Sequence, residues 1–464
     1  MFAKIKLITS DIKQKLLENK VVKYLVDFYN KVTQNTWVTY VIFLYVVGLL
    51  VFGYTLVNNS FVIPVSGDFV VQEIPFYYNG YDDWWTAIST GKFPLWDEQA
   101  ILGVNNIGAN SFYYLFNIFF MPVLLFPRSL VPQAQAFMIL TKIVLAGVGM
   151  RKLLEIFKIS LPTSLIISTA YAFCGWNFFY LWFNHFFEMA VLMPFYLLAI
   201  EICLRKKNPM PLIFAIFIIG VTNYNYLIAM CFTGVIYAVF RYFQRIKIMN
   251  EMNQEEIRKG SKRKVHVAVE IILKGIMCYV LGLALTGIIL VPCFNAVLAN
   301  PRVTEASYLD RILEAFTIKD WGQIFDLLTK WEASNNASEI LSEKYRLYPL
   351  VSFFFPNVSC YNSTLFVTNG YDDILSSLNV YTPLTLMLIP SIFTSIKEKK
   401  ISHLIAFVGI IAMLFTPFVY YCFSGFTNEA YGRWQLFIVA IYCIYIAIQL
   451  DKKIKCLDGI LMFL

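Results

Sequence analysis

Residues 37–57 read WVTYVIFLYVVGLLVFGYTLV and contain no charged side chain. An α-helix rises about 1.5 Å per residue, so this stretch can cross the roughly 30 Å hydrocarbon core of a bilayer. The residues before it are rich in lysine and lack the pattern of a cleavable signal peptide. We therefore expect the first helix to stay in the mature protein.

The composition of the whole chain agrees with this first helix. Of 464 residues, 58% are apolar and 15% are charged, and mean hydropathy is +0.62. One soluble core could not hide so much apolar surface, which predicts an all-α polytopic integral membrane protein. The net charge of +8 lies in short clusters between apolar stretches, a pattern typical of topology signals. Nucleic acid is therefore not expected as a partner.

Further apolar runs predict a bundle of about 10–11 transmembrane helices. They lie at 133–150, 161–182, 189–204, 209–222, 226–240, 267–292, 380–396, 401–421 and 434–450, and another begins at 457. The predicted organisation is a basic cytoplasmic N-terminus at 1–36 and a transmembrane domain at 37–464.

The positions of the basic clusters predict the orientation. If the apolar stretch 112–126 does not cross, the clusters all fall on the side of the N-terminus, as the positive-inside rule requires. We therefore predict that 112–126 is re-entrant or interfacial, which is tolerated where protein covers its backbone. Two long extracytoplasmic loops follow, at about 58–132 and 293–379, with a cytoplasmic basic loop at about 241–266.

The first outer loop carries two acids soon after the first helix, Asp68 and Glu73. A carboxylate near the interface can accept a proton from a sugar hydroxyl and so act as a general base. A solvated loop acid or a helix cap is an equally open interpretation. Two pairs, Asp82/Asp83 and Asp97/Glu98, are weaker candidates.

Lys142 lies in the middle of a predicted span. Burying an ammonium there costs roughly 2.5 kcal/mol or more, so a partner is expected. The partner could be a lipid phosphate, or the lysine could form a structural ion pair, for example with Glu188 or Glu270. Snorkelling towards the interface is a further alternative.

Two other polar positions near the predicted outer surface are candidates for substrate binding. The turn from Asn184 to Glu188, which includes His185, could bind a sugar through rings and acids, although a lone interfacial histidine is more often simply satisfied. Arg433 stands at the outer start of a helix, against the charge rule, and could hold a phosphate.

Metal, nucleotide and disulfide chemistry receive little support. The sequence Asn-Gly-Tyr-Asp-Asp occurs at 79–83 and at 369–373, and paired acids could bind a divalent cation, but the flanks do not match and coincidence is favoured. Walker, HExxH, GxSxG and dinucleotide motifs are absent from the sequence. Cys293 and Cys360 share one predicted outer loop and could pair or remain free thiols.

A set of short motifs in order along the chain resembles the YfhO family of bacterial membrane proteins. The matching positions are Gly67-Asp68, Gln72, Pro75-Phe76, Gly91 to Trp96, Leu102 to Asn105, Gly108, Tyr113-Tyr114, Phe126-Pro127, Lys142, Leu145 to Gly147, Asn379 to Tyr381 and Arg433-Trp434. Members of that family resemble GT-C glycosyltransferases, which use polyprenyl-phosphate sugars. The resemblance therefore implies a GT-C-like helical bundle.

The resemblance also implies roles for individual residues. Asp68 would be the catalytic base, with Glu73 as a second acid beside it, and Lys142 and Arg433 would face the donor phosphate. The other residues expected to bind substrate are Gln72, Trp96, Asn105, Tyr114, His185 and Glu188. Two positions depart from the family pattern, which usually has an aromatic residue in place of Glu73 and an aspartate in place of Glu188. Members are typically longer, so a short form or part of a longer chain is expected.

The implied activity is transfer of a sugar from undecaprenyl phosphate to a cell-surface polymer such as teichoic acid, lipoteichoic acid or wall polysaccharide. It would take place at the outer face of a bacterial plasma membrane, with membrane lipids around it and a separate cytoplasmic-side synthase loading the carrier. No cofactor is required, and a divalent metal is optional. The alternatives are a lipid or polysaccharide transporter or flippase, and a noncatalytic membrane scaffold.

Overall fold

The computed structural model describes residues 35–63, 69–98, 100, 102–205, 208–258, 266–298, 308–329, 352–354, 377–425 and 432–461. Regular structure in these residues is helical apart from one antiparallel pair of two-residue strands, which joins Trp96 to Asn105 and Asp97 to Val104. The all-α membrane fold predicted from the sequence is therefore confirmed.

The α-helices are α1 Thr36–Asn58, α2 Ile74–Thr90, α3 Asn106–Asn110, α4 Val131–Ile156, α5 Leu161–Ala172, α6 Gly175–Phe179, α7 Asn184–Leu204, α8 Met210–Thr222, α9 Tyr224–Arg258, α10 Val267–Leu298, α11 Tyr308–Thr317, α12 Trp321–Thr329, α13 Thr382–Leu386, α14 Leu388–Lys397, α15 Ile401–Phe415, α16 Pro417–Phe423 and α17 Leu436–Leu461. Strand β1 is Trp96–Asp97 and strand β2 is Val104–Asn105. A π-helical turn, Phe69–Glu73, leads directly into α2, and short 3₁₀ turns cover Met121–Leu125, Arg128–Leu130, Tyr180–Trp182 and Gly432–Gln435.

The chain divides into two compact units, Met1–Tyr54 and Thr55–Leu464. The described part of the first unit is most of α1. The second unit contains all the other elements and the candidate site.

Five stretches of described helix are long and apolar enough to cross a membrane. They are Thr36–Asn58, Asn184–Leu204, Tyr224–Glu255, Val267–Ala296 and Gly432–Lys453. Two further apolar helices, Met210–Thr222 and Ile401–Phe415, are shorter. The count of about 10–11 crossings and the orientation stay predictions.

The apolar stretch 112–126 forms turns followed by the 3₁₀ turn Met121–Leu125 and contains no α-helix that could span. Tyr114, Phe120 and Val123 are buried within the second unit. Protein therefore covers much of this stretch, the condition under which irregular backbone is tolerated at membrane depth.

The predicted run 161–182 does not form one continuous helix. Helix α5 ends at Ala172, and α6 begins at Gly175. The Gly175 amide donates a hydrogen bond of 2.6 Å to the Asn379 carbonyl, and a Cβ at position 175 would meet the Ser377 side chain. Glycine permits this close approach, so contact with a distant segment interrupts the run.

Within the basic segment predicted as a loop at about 241–266, the described residues 241–258 are helical, which corrects that expectation for them. Helix α9 continues without a break as far as Arg258. The residues beyond the apolar run include glutamates, glutamines, methionines and arginines, which favour a helix even without an apolar partner. Charge alone does not end a helix.

Helix α7 is the central element of the second unit. It packs against α4, α8 and α9, and 83% of its most apolar 18-residue stretch is buried. It carries ionisable side chains near both ends, His185 and Glu188 at one and Glu201 at the other. From residue 185 to residue 201 the helix rises about 24 Å. The fold thus creates two separate charged regions.

Candidate functional site

Lys142 on α4 is fully buried and contacts three acceptors on α7. Its Nζ donates to Asn184 Oδ1 at 2.5 Å, to Glu188 Oε1 at 3.2 Å and to the Asn184 carbonyl at 3.3 Å. An ammonium has three N–H donors, and these acceptors account for all of them. Of the partners considered from the sequence, Glu188 is the one that the structure selects.

A second buried pair lies beside the first. Glu73 is the last residue of the π-helical turn, and its Oε1 contacts His185 Nδ1 on α7. Glu73 is 0% exposed and the His185 side chain 2%. The Glu73 charge acts on both Lys142 and Glu188, so the two pairs form one electrostatic cluster.

Tyr77 joins α2 to this cluster. The Asn184 side-chain amide donates to the Tyr77 hydroxyl at 2.8 Å, and the Tyr77 ring is completely buried. Burial raises the pKa of Tyr77 well above its ordinary value, and the Glu188 and Glu73 carboxylates raise it further. The phenol therefore stays neutral. Helices α2, α4 and α7 are held together at this point.

Half-buried rings lie next to the Glu73–His185 pair, and we call Phe76, Phe112, Tyr113 and Phe183 the aromatic face. Phe76 and Tyr113 stack with centroids 4.0 Å apart. The His185 ring lies 5.0 Å from Phe112 and 5.1 Å from Tyr113. Partly exposed rings of this kind offer stacking surface to a sugar.

Arg433 is the half-buried cation beside this face. Its guanidinium lies 4.1 Å from the Phe186 centroid and 5.8 Å from that of Phe183, a cation–π arrangement. The next residue, Trp434, stacks on Phe423 at 4.7 Å. Gln435 donates to the Tyr420 hydroxyl at 3.1 Å, so the 3₁₀ turn that carries Arg433 is anchored on α16.

Residues 37–318 match a family model described as bacterial membrane protein YfhO. The chain belongs to the YfhO family. The match includes Glu73, Lys142, His185 and Glu188 and ends before Arg433. No curated protein and no solved structure matches the chain.

In this YfhO family member, the polar turn predicted at the outer surface is the buried first turn of α7. Asn184 and Glu188 are 0% exposed, and His185 is 2% exposed. The expectation of a surface turn is wrong because these side chains find partners on α2, α4 and the π-helical turn. Direct contact of Glu188 with a sugar would require the cluster to open.

Four other residues predicted to bind substrate have different surroundings. Gln72 donates to the Tyr113 hydroxyl at 3.0 Å and so borders the aromatic face. Trp96 is exposed in β1, with its indole over Gly103. Asn105 caps α3 by accepting from the Gly108 amide at 2.7 Å, and Tyr114 is buried against Tyr77. Asn105 and Tyr114 therefore have structural roles here.

The weaker acidic candidates are engaged with neighbouring residues. Asp82 forms two hydrogen bonds with Arg128, at 2.7 and 2.8 Å, and this contact raises the pKa of the guanidinium. Asp83 accepts from the Asn106 amide at 2.8 Å. Burial raises the pKa of Asp83, and the Asn106 hydrogen bond partly opposes that rise.

Asp68, Cys360 and the second Asn-Gly-Tyr-Asp-Asp sequence at 369–373 lie outside the described residues, as does nearly all of the predicted N-terminal domain. Within the described ranges, no group of three or more His, Cys, Asp or Glu residues could hold a metal ion. Cys293 is buried, and its thiol donates to the Ile107 carbonyl.

Sequence reasoning missed two asparagines that organise the site. The Asn223 amide donates to the carbonyls of His185 and Phe112 at 3.2 and 3.4 Å, and its Oδ1 accepts from the Tyr226 amide at the start of α9. Asn117 lies beside Glu188. The signal for Asn223 was its place in an apolar run, where a buried amide requires partners.

Proposed function

We propose that this YfhO family member is a membrane glycosyltransferase. It moves a sugar from a polyprenyl-phosphate carrier to a hydroxyl of an extracytoplasmic polymer, such as teichoic acid, lipoteichoic acid or wall polysaccharide. The observation that carries the proposal is the half-buried Arg433 beside the aromatic face and the Glu73–His185 pair. The protein acts in a bacterial plasma membrane with its N-terminus on the cytoplasmic side.

The donor is a charged phosphate joined to a sugar, and the site offers a group suited to each part. A guanidinium binds phosphate through paired N–H donors and stabilises the charge that develops on a departing phosphate. Arg433 supplies that group, and Phe112 and Tyr113 supply rings for the sugar. A polyprenyl phosphate is a good leaving group, so no cofactor is needed and a metal stays optional.

The chemical step is a displacement at the anomeric carbon. The acceptor hydroxyl oxygen forms the new bond to that carbon, while the bond from the carbon to the phosphate oxygen breaks. Its electron pair leaves with the lipid phosphate, and the hydroxyl proton passes to the Asp68 carboxylate. In the sequence, Asp68 immediately precedes the π-helical turn Phe69–Glu73, which the Glu73–His185 contact anchors on α7.

Lys142 receives a different role from the one that the resemblance implied. Its three donors are engaged by Asn184 and Glu188, so it positions the first turn of α7, and with it His185. Arg433 then serves as the cation for the donor phosphate. The remaining proposed partners are membrane lipids and a separate synthase that loads the carrier on the cytoplasmic side.

A proton-coupled transporter is the second candidate function, and one observation favours it. Lys142, Glu188, Glu73 and His185 form a continuous buried set of ionisable groups. Such groups within a helical bundle often form proton relays. A transporter predicts substrate movement driven by a proton gradient, whereas a glycosyltransferase predicts a new glycosidic bond without one.

The first test is transfer of radiolabelled sugar from synthetic polyprenyl-phosphate donors to cell-wall polymer in proteoliposomes. We expect the wild type to transfer at least one sugar and Arg433→Lys to raise the apparent KM for the donor about tenfold, because an ammonium binds phosphate as a point charge and stacks less well on Phe186. Arg128→Lys is the matched control, since Arg128 is exposed and paired with Asp82. An unchanged KM in Arg433→Lys would remove Arg433 from the site.

Absence of transfer by the wild type across several sugars and acceptors would overturn the proposed function. Movement of the labelled lipid that depends on a proton gradient would then support the transporter.

Replacing Glu73 by glutamine tests the positioning pair. We expect kcat for sugar transfer to fall about tenfold, because the variant weakens the contact that holds His185 and the π-helical turn Phe69–Glu73 in place. If Glu73 acts through His185, the double variant Glu73→Gln/His185→Gln should be no slower than the slower single variant. Independent, multiplying losses in kcat would instead show that the two residues act separately.

A further inference from the structure

A cavity of about 380 Å³ lies between α9, α14, α15 and α17, away from the site described above. Most of its wall is aliphatic or aromatic, with Ile392, Phe407, Ile411 and Ile441 as representative lining residues. The volume falls within the range typical of small-molecule sites. From His403 to Ile411 the lining of α15 extends about 12 Å along the helix, so the cavity is long enough for a stretch of hydrocarbon chain.

Polar side chains are concentrated near one end of this cavity. Ser395 contacts the Tyr445 hydroxyl at 2.8 Å and the His403 ring at 3.3 Å. Arg241 and Gln244 line the same cavity from α9. The charges of Lys400, Lys452 and Arg241 all act on His403, so these three cations lie near this end of the cavity.

The carboxylates near this end do not balance the cations. Glu201 accepts from Arg241 at 2.5 Å and from Arg205 at 3.1 Å, and Arg245 is close enough for its charge to interact with both arginines. Glu398 pairs with Lys400. Asp451, which precedes Lys452 on α17 and accepts from the Ser160 amide at 2.8 Å, adds a third carboxylate. Among the described residues named here, five cations therefore lie near three carboxylates, and the polar end of the cavity carries surplus positive charge.

This region is distinct from the candidate transfer site. Tyr226, which packs against Phe186, and Arg241, which lines the cavity, are both on α9. They are 15 residues apart, a rise of about 22 Å along the helix. The two regions are thus near opposite ends of the bundle's long helices.

We propose that this cavity is a binding site for a phosphate-bearing lipid. One hydrocarbon chain occupies the apolar space, and the phosphate lies near Lys400, Lys452 and Arg241. The argument rests on charge complementarity, because surplus cations at the end of an apolar cavity match an amphiphile with an anionic head. The proposal does not depend on glycosyl transfer.

The test is lipid binding to the purified chain in detergent, followed by native mass spectrometry. The probes are dioleoyl phosphatidylglycerol, dioleoyl phosphatidylcholine, undecaprenyl phosphate and inorganic phosphate. We expect phosphatidylglycerol to bind at least about tenfold more tightly than phosphatidylcholine, and inorganic phosphate not to displace it. If undecaprenyl phosphate displaces phosphatidylglycerol at lower concentration than the reverse, the natural occupant is an isoprenoid phosphate; the opposite order identifies a glycerophospholipid.

Two variants test separately the binding of the lipid's phosphate group and the binding of its hydrocarbon tail. Lys400→Gln/Lys452→Gln should weaken phosphatidylglycerol binding about tenfold, and Ile441→Trp should abolish it by filling the cavity. Lys152→Gln/Lys247→Gln is the matched control, because it removes two exposed cations that are not among the charges acting on His403 at the polar end of the cavity. Thermal unfolding of each variant shows that it is folded, and the Lys400/Lys452 variant keeps the test valid if Ile441→Trp does not fold.

Equal binding of phosphatidylglycerol and phosphatidylcholine would overturn the proposal. So would equal losses of binding in the Lys400/Lys452 variant and its control, because that result would indicate nonspecific attraction to a basic surface.

Discussion

Asp68→Asn is expected to lower kcat for sugar transfer at least about 100-fold, because a general base contributes on the order of 10²–10⁴ to such a step. Asparagine has nearly the same size as aspartate but cannot accept the acceptor hydroxyl's proton. Binding of the polyprenyl-phosphate donor should be unchanged, since the proposed phosphate ligand is Arg433. Transfer of radiolabelled sugar in proteoliposomes measures the first effect, and donor binding to the purified variant measures the second.

The matched control is Glu98→Gln, which removes an exposed acid from the same predicted outer segment. It should keep full activity. If Asp68→Asn transferred sugar at a rate close to that of the wild type, the base would have to be another group. A loss in both Asp68→Asn and Glu98→Gln would indicate a general effect of charge on this segment.

Lys142→Met is expected to lower the free energy of unfolding by about 3–5 kcal/mol, the range for removing one member of a buried ion pair. The variant would leave the Glu188 carboxylate completely buried without its cation, and Asn184 without its donor. Methionine keeps an unbranched apolar stem of similar length, so lost packing contributes little. Titrating the protein in mild detergent with a denaturing detergent measures the change in its free energy of unfolding.

Two controls make this prediction specific. Lys152→Met removes an exposed lysine on the same helix that pairs with Glu155 at 2.7 Å, and it should cost less than about 1 kcal/mol. The double variant Lys142→Met/Glu188→Gln should recover much of the lost stability, because it removes both charges. A single variant as stable as the wild type would show that the pair contributes nothing to the fold.

For Lys142, the sequence predicted that a buried partner exists but did not identify it. The cost of burying an ammonium predicts that a partner exists, and Glu188 and Glu270 were both considered. In the structure Glu270 pairs with Lys274, four residues along the same helix, at 2.8 Å. Glu188 is left to face Lys142 across the α4–α7 contact. The spacing of four residues between Glu270 and Lys274 is the local pattern that favours this outcome.

Helix ends were predicted less well than helix positions. The run 161–182 is broken where Gly175 meets Asn379, more than 200 residues away in sequence. The first turn of α7 begins five residues before the predicted apolar run because Asn184, His185 and Glu188 are satisfied by three other segments. Hydropathy assigns such polar residues to a surface because it has no information on their partners.

For individual site residues as well, the sequence proposed roles, but only the structure showed the contacts that decide them. Asn105 was grouped with substrate-binding residues, but it caps a short helix, and Tyr114 is a core ring. Arg433 came to attention through its place on the predicted outer side. Its position over Phe186, next to the aromatic face, depends on a contact between segments about 250 residues apart.

By itself, the sequence determined that this chain is an all-α membrane protein of the YfhO type, because apolar length and charge placement are local quantities set by the bilayer. Only the tertiary structure decided which charges are paired, which rings are accessible and where the helices break. Those outcomes depend on contacts between distant segments, and the free energy of a buried charge is settled by whichever partner the packing brings within hydrogen-bond distance.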